Sequence, residues 1–254
     1  MKSLKYIALI LLAAFAVSCD KANQTASPTA AGFDNNGGTG QGGSLARFTI
    51  AQKHLYVVDD KKLHVYSLAN ASSPKLTSTQ PIGEDIETIY SYKDKLFIGS
   101  QNSMYIYSIS DAGHPDKLGE ASHVRACDPV VADDTVAYVT VRGGNNCGGT
   151  TNAMYVYDVK NLLNPSQRNV ITMDSPWGLG MAGNRLFVCQ GSNGLAIYDI
   201  SNRYYPSLKQ RLYDDTYYDV IPYNGMLICM VQGGMLLYEL KSDGQILKLA
   251  KISG

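Results

Sequence analysis

An alternation of apolar and polar positions recurs along the chain: a hydrophobic run, a turn of Gly, Asn, Ser or Asp, then a second run closing on a tyrosine. It reads HLYVVDDKKLHVYSL from His54 to Leu68, KLFIGSQNSMYIYSI from Lys95 to Ile109, RLFVCQGSNGLAIYDI from Arg185 to Ile200 and MLICMVQGGMLLYEL from Met226 to Leu240. A fifth copy, AYVTV (Ala137–Val141) and MYVYDV (Met154–Val159), is split by a longer glycine-rich loop. Period-2 alternation bounded by turn residues predicts paired strands. The closing tyrosines, Tyr66, Tyr107, Tyr157, Tyr198 and Tyr238, are 41, 50, 41 and 40 residues apart, the spacing expected of four-stranded propeller blades.

Each repeat divides into four strands. In the second they are ETIYSY (Glu87–Tyr92), KLFIGS (Lys95–Ser100), MYIYSI (Met104–Ile109) and DKLGEA (Asp116–Ala121), joined by short turn sequences. Pro74, Pro115, Pro165 and Pro206 each fall just before the outermost strand, where a missing backbone donor costs the sheet little. The fifth repeat has Lys241-Ser242-Asp243-Gly244 at that place instead.

The expected fold is therefore all-β, a five-bladed β-propeller of four-stranded antiparallel blades over residues 45–254. One meander has apolar side chains on both faces and cannot cover them alone, whereas blades stacked around an axis can. The blades are expected at Ala46–Gly83, Asp85–Val124, Ala126–Asp174, Ser175–Thr216 and Tyr217–Ile252. In this division every repeat is a whole blade and the first packs face to face on the last. A strand from just before Ala46, added to the last blade as a latch, is the alternative.

The ends change the picture. Lys2 and Lys5, the apolar run Tyr6–Val17 and the small residues Ala16-Val17-Ser18 read as an export signal over residues 1–18. The run is shorter than the about twenty apolar residues that span a bilayer. Cys19 directly after Ala-Val-Ser resembles the lipobox of bacterial lipoproteins, and that resemblance implies that Cys19 carries fatty acyl (palmitate-type) chains. An ordinary secretory peptide with Cys19 at the cleavage site is the other reading. Residues 19–44, ending in NNGGTGQGGS, hold too few large apolar groups to order themselves. They read as a tether with a reach of roughly 25–30 Å. Without Lys2 and Lys5 the chain has 20 basic residues against 22 acidic, so electrostatic recruitment by nucleic acid is not expected.

Four cysteines follow Cys19. Cys127 opens the first strand of the third repeat and Cys147 lies in its inserted loop, so both fall at one end of a blade and a disulfide between them is expected. It would add about 3 kcal/mol on the chain-entropy model. Cys189 and Cys229 occupy corresponding mid-strand places in successive repeats and are expected as two buried thiols rather than a second bond. The insertion itself, Arg142–Asn152, reads either as a binding loop or as a tolerated surface extension.

YDISNRYYPSLKQ (Tyr198–Gln210), with SPWGLGMAGNRLFVC (Ser175–Cys189) and CDPVVADDTVAYVTV (Cys127–Val141), resembles the LVIVD repeat family of bacterial β-propellers. The fourth repeat is the best match; the first, second and fifth have Tyr-Ser or Tyr-Glu where the family usually has Asp. The resemblance implies a cell-envelope setting, most often as a lipoprotein, and brings no catalytic residue with it.

Chemistry is sparse. No nucleophile elbow or phosphate-binding glycine loop is present, and His54, His64, His114 and His123 lack metal-ligand spacing. Neither metal nor cofactor is expected. Where the inner strands begin, the repeats bring Glu87, Asp128, Trp177, Tyr218 and Asp219 towards one mouth of the channel, with Asp85 and Arg125 just outside. Two readings compete. The three acids could flank a sugar in a glycan-cleaving hydrolase, since five-bladed propellers also form a glycosidase architecture, or they could simply cap strand ends, bind water in a polar funnel, or pair with Arg125. Trp177 and Tyr218 suit recognition at a wet surface, although each could equally wedge neighbouring blades apart. The expectation is a binding or scaffolding module without catalysis, anchored by lipid in the bacterial envelope, at the outer membrane or cell surface. Its partner would be an envelope protein or a glycan.

Overall fold

The computed structural model describes residues 43–122, 129–144 and 149–254, which form twenty strands and no helix. The first blade is β1 (Phe48–Ala51), β2 (His54–Val58), β3 (Lys62–Ser67) and β4 (Lys75–Pro81). The second is β5 (Ile86–Tyr92), β6 (Lys95–Ser100), β7 (Ser103–Ser108) and β8 (Asp116–Ser122). The third is β9 (Val130–Ala132), β10 (Val136–Arg142), β11 (Asn152–Asp158) and β12 (Ser166–Thr172). The fourth is β13 (Leu179–Ala182), β14 (Arg185–Cys189), β15 (Leu195–Asp199) and β16 (Ser207–Leu212). The fifth is β17 (Tyr217–Tyr223), β18 (Met226–Val231), β19 (Gly234–Leu240) and β20 (Ile246–Ser253). Each blade is an antiparallel meander built from one continuous stretch of chain, making a five-bladed β-propeller.

The recurring tyrosine has a structural counterpart. In all five blades the pairing of the third and fourth strands shifts register just before it: at Val65/Tyr66, Ile106/Tyr107, Val156/Tyr157, Ile197/Tyr198 and Leu237/Tyr238. One residue of the outer strand, such as Thr77 between Leu76 and Ser78, is left without an opposite number. Such a bulge bends the strand and increases its twist, as an outer strand at the rim of a wheel requires.

Turn chemistry follows the local sequence. Asn224-Gly225 closes the fifth blade's first hairpin with φ of 47° and 76°, the paired left-handed geometry that this dipeptide favours. In the first blade the same turn is made by Gln52 (φ 49°) and Lys53 (φ 59°), two residues whose Cβ atoms resist that geometry.

Apolar faces are shared between neighbours as the period requires. One cluster joins blades 1 and 2 (Tyr56, Leu63, Ile89, Leu96), another blades 2 and 3 (Phe97, Val139, Tyr157). Two more join blades 3 and 4 (Tyr138, Met154, Leu186) and blades 4 and 5 (Phe187, Leu195, Leu227). Polar pins cross the same seams: the Tyr56 hydroxyl donates to Ala112 O at 2.8 Å, and that of Tyr138 to Arg203 O at 2.7 Å.

The expected face packing of the first blade on the last has no such cluster among the described residues. Phe48, Ile50, Leu55, Val57, His64 and Tyr66 share the free face of blade 1, and all are half-buried or exposed, Phe48 to 55%. On blade 5, Ile228, Leu237, Met235 and Met230 do the same, Met230 being 43% exposed. Part of the reason is polar: His64, on the blade 1 face, bonds Asp59 at 2.9 Å and Thr79 at 3.1 Å. Among the described residues no latch strand is found either, since residues 43–47 belong to no strand. They run instead to a polar contact, Ser44 with Asp219 of β17.

Candidate functional site

The inner strands begin at one end of the channel, and four blades contribute side chains there. Trp177 stands just ahead of β13 with its backbone fixed on both sides. Its N–H donates to Cys189 O at 2.8 Å, its carbonyl accepts from the buried Thr140 hydroxyl of blade 3 at 2.8 Å, and the next N–H, Gly178, donates to Tyr218 O at 2.9 Å. That last bond carries Trp177 alongside Tyr218, and the rings meet edge to face at 5.1 Å and 71°, a favoured aromatic geometry. Beneath lies Gly191 at φ 57°, where a Cβ would come within 3.1 Å of the indole nitrogen.

The outer face of the indole is covered by Arg142, the last residue of β10, whose guanidinium carbon sits 3.4 Å from the ring centroid. Stacking on an aromatic ring is a use for which arginine is suited and lysine much less so. Burial pulls the Arg142 guanidinium below its usual range, and the negative charge of Glu87 opposes that shift. Glu87, half-buried on β5, also accepts from Gln101 Nε2 at 3.4 Å. The mouth thus runs from Glu87, whose charge acts on Arg142, through the stacked Arg142 and Trp177 to Tyr218, crossing blades 2, 3, 4 and 5.

Three of the five residues expected at the mouth, Glu87, Trp177 and Tyr218, therefore belong to one connected group. Asp128 and Arg125 lie outside the described residues, as do Cys19 and both members of the expected Cys127–Cys147 disulfide. Asp85 is exposed at φ 54°, ahead of β5.

Asp219 is at the right place and turned to another purpose. Only 8% exposed, it accepts from the Ser44 hydroxyl at 3.3 Å and from the Val220 N–H at 2.9 Å. The backbone N–H groups of Leu45 and Ser44 also point at it. Gly43 and Gly178 close around the carboxylate so tightly that a Cβ at either would lie 1.9 and 2.1 Å from its oxygens. Burial pushes the Asp219 carboxyl up to about 6, against the opposing pull of those four donors. It clamps the chain leading into blade 1 against blades 4 and 5, and Ser44 completes the clamp by accepting from Leu179 N at 2.7 Å.

Arg142 enters the sequence reading only as the first residue of the inserted loop, and its place at the mouth is not foreseen there. Nothing in VTVR marks its last residue, because contact with Trp177 depends on how blade 3 turns towards blade 4. The two thiols read from the sequence as buried and unpaired are found so: Cys189 and Cys229 are free and pack in the cluster of blades 4 and 5. Burial pushes Cys229 up to about 12 and Cys189 well above its ordinary value, so both are neutral fillers.

Residues 177–214, from Trp177 to the end of the fourth blade, match the LVIVD repeat model. No curated protein matches the chain by sequence. Among solved structures, a protein from Lactobacillus plantarum is similar at 14% identity and TM-score 0.61, over 80% of this chain and 69% of its own. The periplasmic gluconolactonase PpgL of Pseudomonas aeruginosa overlays at 12% identity and TM-score 0.61, over 79% and 67%. Apo AztD of Citrobacter koseri does so at 13% identity and TM-score 0.58, over 80% and 62%. These likenesses carry the propeller fold, and the chain spans about two thirds of the length of the structures it resembles.

Proposed function

We propose that the protein is a non-catalytic binding module of a bacterial cell envelope, held at a membrane by lipid on Cys19, that takes an envelope protein or glycan at the Trp177 mouth. One observation supports the binding role above others: Arg142, Trp177 and Tyr218, from three blades, form a half-buried stack at the end of the channel. Arginine and large aromatics are the residues that dominate binding energy at interfaces. The export signal and Cys19 support the location, and the periplasmic protein among the similar propellers is in keeping with it.

A glycan-cleaving hydrolase needs two carboxyl groups facing each other across an open cleft, about 5–10 Å apart. Asp219 is enclosed by donors and glycines, and Glu87 is committed to Gln101 and the field of Arg142. Those two acids are thus poorly disposed to act as an acid/base pair, which favours binding over turnover.

Arg142→Ala removes the lid of the stack without touching a core cluster. Crosslinking in intact cells followed by recovery of the protein should then return its partner from the parent chain and not from the variant, with the thermal midpoint nearly unchanged. Equal recovery from both would refute the role given to the mouth. Mass spectrometry of the mature N-terminus tests the anchor; an unmodified Cys19 would remove it.

A further inference from the structure

The far end of the channel carries a second feature that the mouth does not explain. Strand β5 runs from Glu87 at the mouth to Tyr92, about 17 Å away at roughly 3.3 Å per residue. Its last residues open into a cleft of about 500 Å³ lined by Thr49, Tyr90, Ser91, Tyr92, Asp133 and Arg203, among others. Four blades contribute: Thr49 from the first, the tyrosines and Ser91 from the second, Asp133 from the third and Arg203 from the fourth. The size lies within the about 300–1,000 Å³ of small-molecule sites.

Its charges are already matched. Arg203 Nε lies 3.4 Å from Asp133 Oδ2 and its Nη1 donates to Gly183 O at 3.0 Å, so the two charges of that pair offset each other. Lys93, at the rim, is paired with Asp134, which also accepts from the Tyr92 hydroxyl at 3.3 Å. What remains is hydroxyl and aromatic. Thr49 Oγ1 and Ser91 Oγ bond each other at 2.8 Å, and each oxygen keeps a further lone pair for a ligand. The ring of Tyr90 packs against the clusters of blades 2–3 and 3–4, so its position is fixed. Its hydroxyl has no hydrogen-bond partner among the described residues. Burial and the nearby Tyr92 and Asp133 push it up to about 12, which keeps it a neutral donor at physiological pH. Ile89 and Met181 add apolar wall beside it.

We propose that this cleft binds an uncharged saccharide of one or two rings, its hydroxyls exchanging hydrogen bonds with Tyr90, Ser91 and Thr49 and an apolar ring face lying against Tyr92 and the wall of Ile89 and Met181. The chemistry is complementary: a ligand rich in hydroxyls and without charge meets hydroxyls, aromatic faces and charges that are self-paired. An ionic ligand would compete with the Arg203–Asp133 pair and, on displacing one member, leave the other charge uncompensated.

Isothermal titration of the full chain, purified in a detergent without a sugar headgroup, against glucose, maltose, cellobiose and N,N′-diacetylchitobiose tests this, with glucuronic acid as the charged counterpart. At least one neutral sugar should bind, and Tyr90→Phe, which removes a single oxygen, should weaken it about tenfold or more. Ser91→Ala should weaken it in the same direction and serves if Tyr90→Phe fails to fold. The emission of Trp177, the single tryptophan, should not change on binding, because it lies at the other end of the channel. The proposal is overturned if no neutral sugar binds, if glucuronic acid binds better than its neutral counterpart, or if neither variant weakens binding. A shift of Trp177 emission would put the sugar at the mouth and equally overturn it, leaving the binding role of the mouth in place.

Discussion

Replacing Asp219 by asparagine removes a charge and keeps the size of the side chain and one acceptor oxygen. The Asp219 carboxyl is pushed from 3.8 to about 6 because burial disfavours the carboxylate by more than Val220, Leu45 and Ser44 favour it. That gap converts to about 3 kcal/mol at 1.36 kcal/mol for each tenfold change in proton affinity. The folded protein holds this proton more tightly than the unfolded chain does, so the stabilisation is complete below about pH 4 and is lost as pH rises through about 6. Wild type should therefore lose about 3 kcal/mol relative to Asp219→Asn between about pH 3.5 and 7.5. Acids whose affinity is lowered, such as Asp59 and Asp214, are present in both proteins and cancel in the difference. Urea unfolding of both proteins across that range gives the difference directly. A flat difference, or wild type gaining on the variant as pH rises, would mean that the four donors outweigh burial and would refute the reasoning.

Asp214 accepts from the Tyr217 and Tyr238 hydroxyls, which also bond each other, and from Lys248 Nζ at 2.7 Å, so Asp214→Ala should cost about 2–3 kcal/mol in urea unfolding by leaving one buried tyrosine hydroxyl without an acceptor. Phe187→Ala, inside the cluster of blades 4 and 5, should cost about 3–5 kcal/mol, whereas Phe48→Ala on the open face of blade 1 should cost under about 1 kcal/mol. Changing Gln52-Lys53 to Asn-Gly should raise stability by about 1 kcal/mol, since both positions hold a left-handed φ; thermal unfolding reads it.

The wheel was legible because its unit is local. Strand, turn, strand and closing tyrosine fall within some fifteen residues, and prolines such as Pro115 mark the step to the outer strand. Trp177 and Tyr218 were legible at the mouth because equivalent places in a repeat lie at equivalent places on the wheel. Four things needed the third dimension. Arg142 reaches Trp177 only through the rotation between blades 3 and 4, on which no local pattern reports. For Asp219 a structural role was one of the readings open in the sequence, but its partners were not legible, because Ser44 and Leu45 precede it by some 175 residues. The free faces of blades 1 and 5 carry the same alternation as covered ones, so Phe48 and Met230 look in sequence like core residues. Tyr90 and Ser91 read as the tail of a strand, and their meeting with Arg203 depends on two further blades.

The most direct test of the central claim, that the Trp177 mouth is where a partner is held, is photocrosslinking in living cells from a diazirine residue at position 218. The same probe at position 163, an exposed leucine on the link to an outer strand, serves as reference. A discrete adduct from position 218, missing from position 163 and lost when Arg142 is alanine, is the expected result. Equal labelling from both positions, or none from position 218 in cells where the protein is folded, would contradict it.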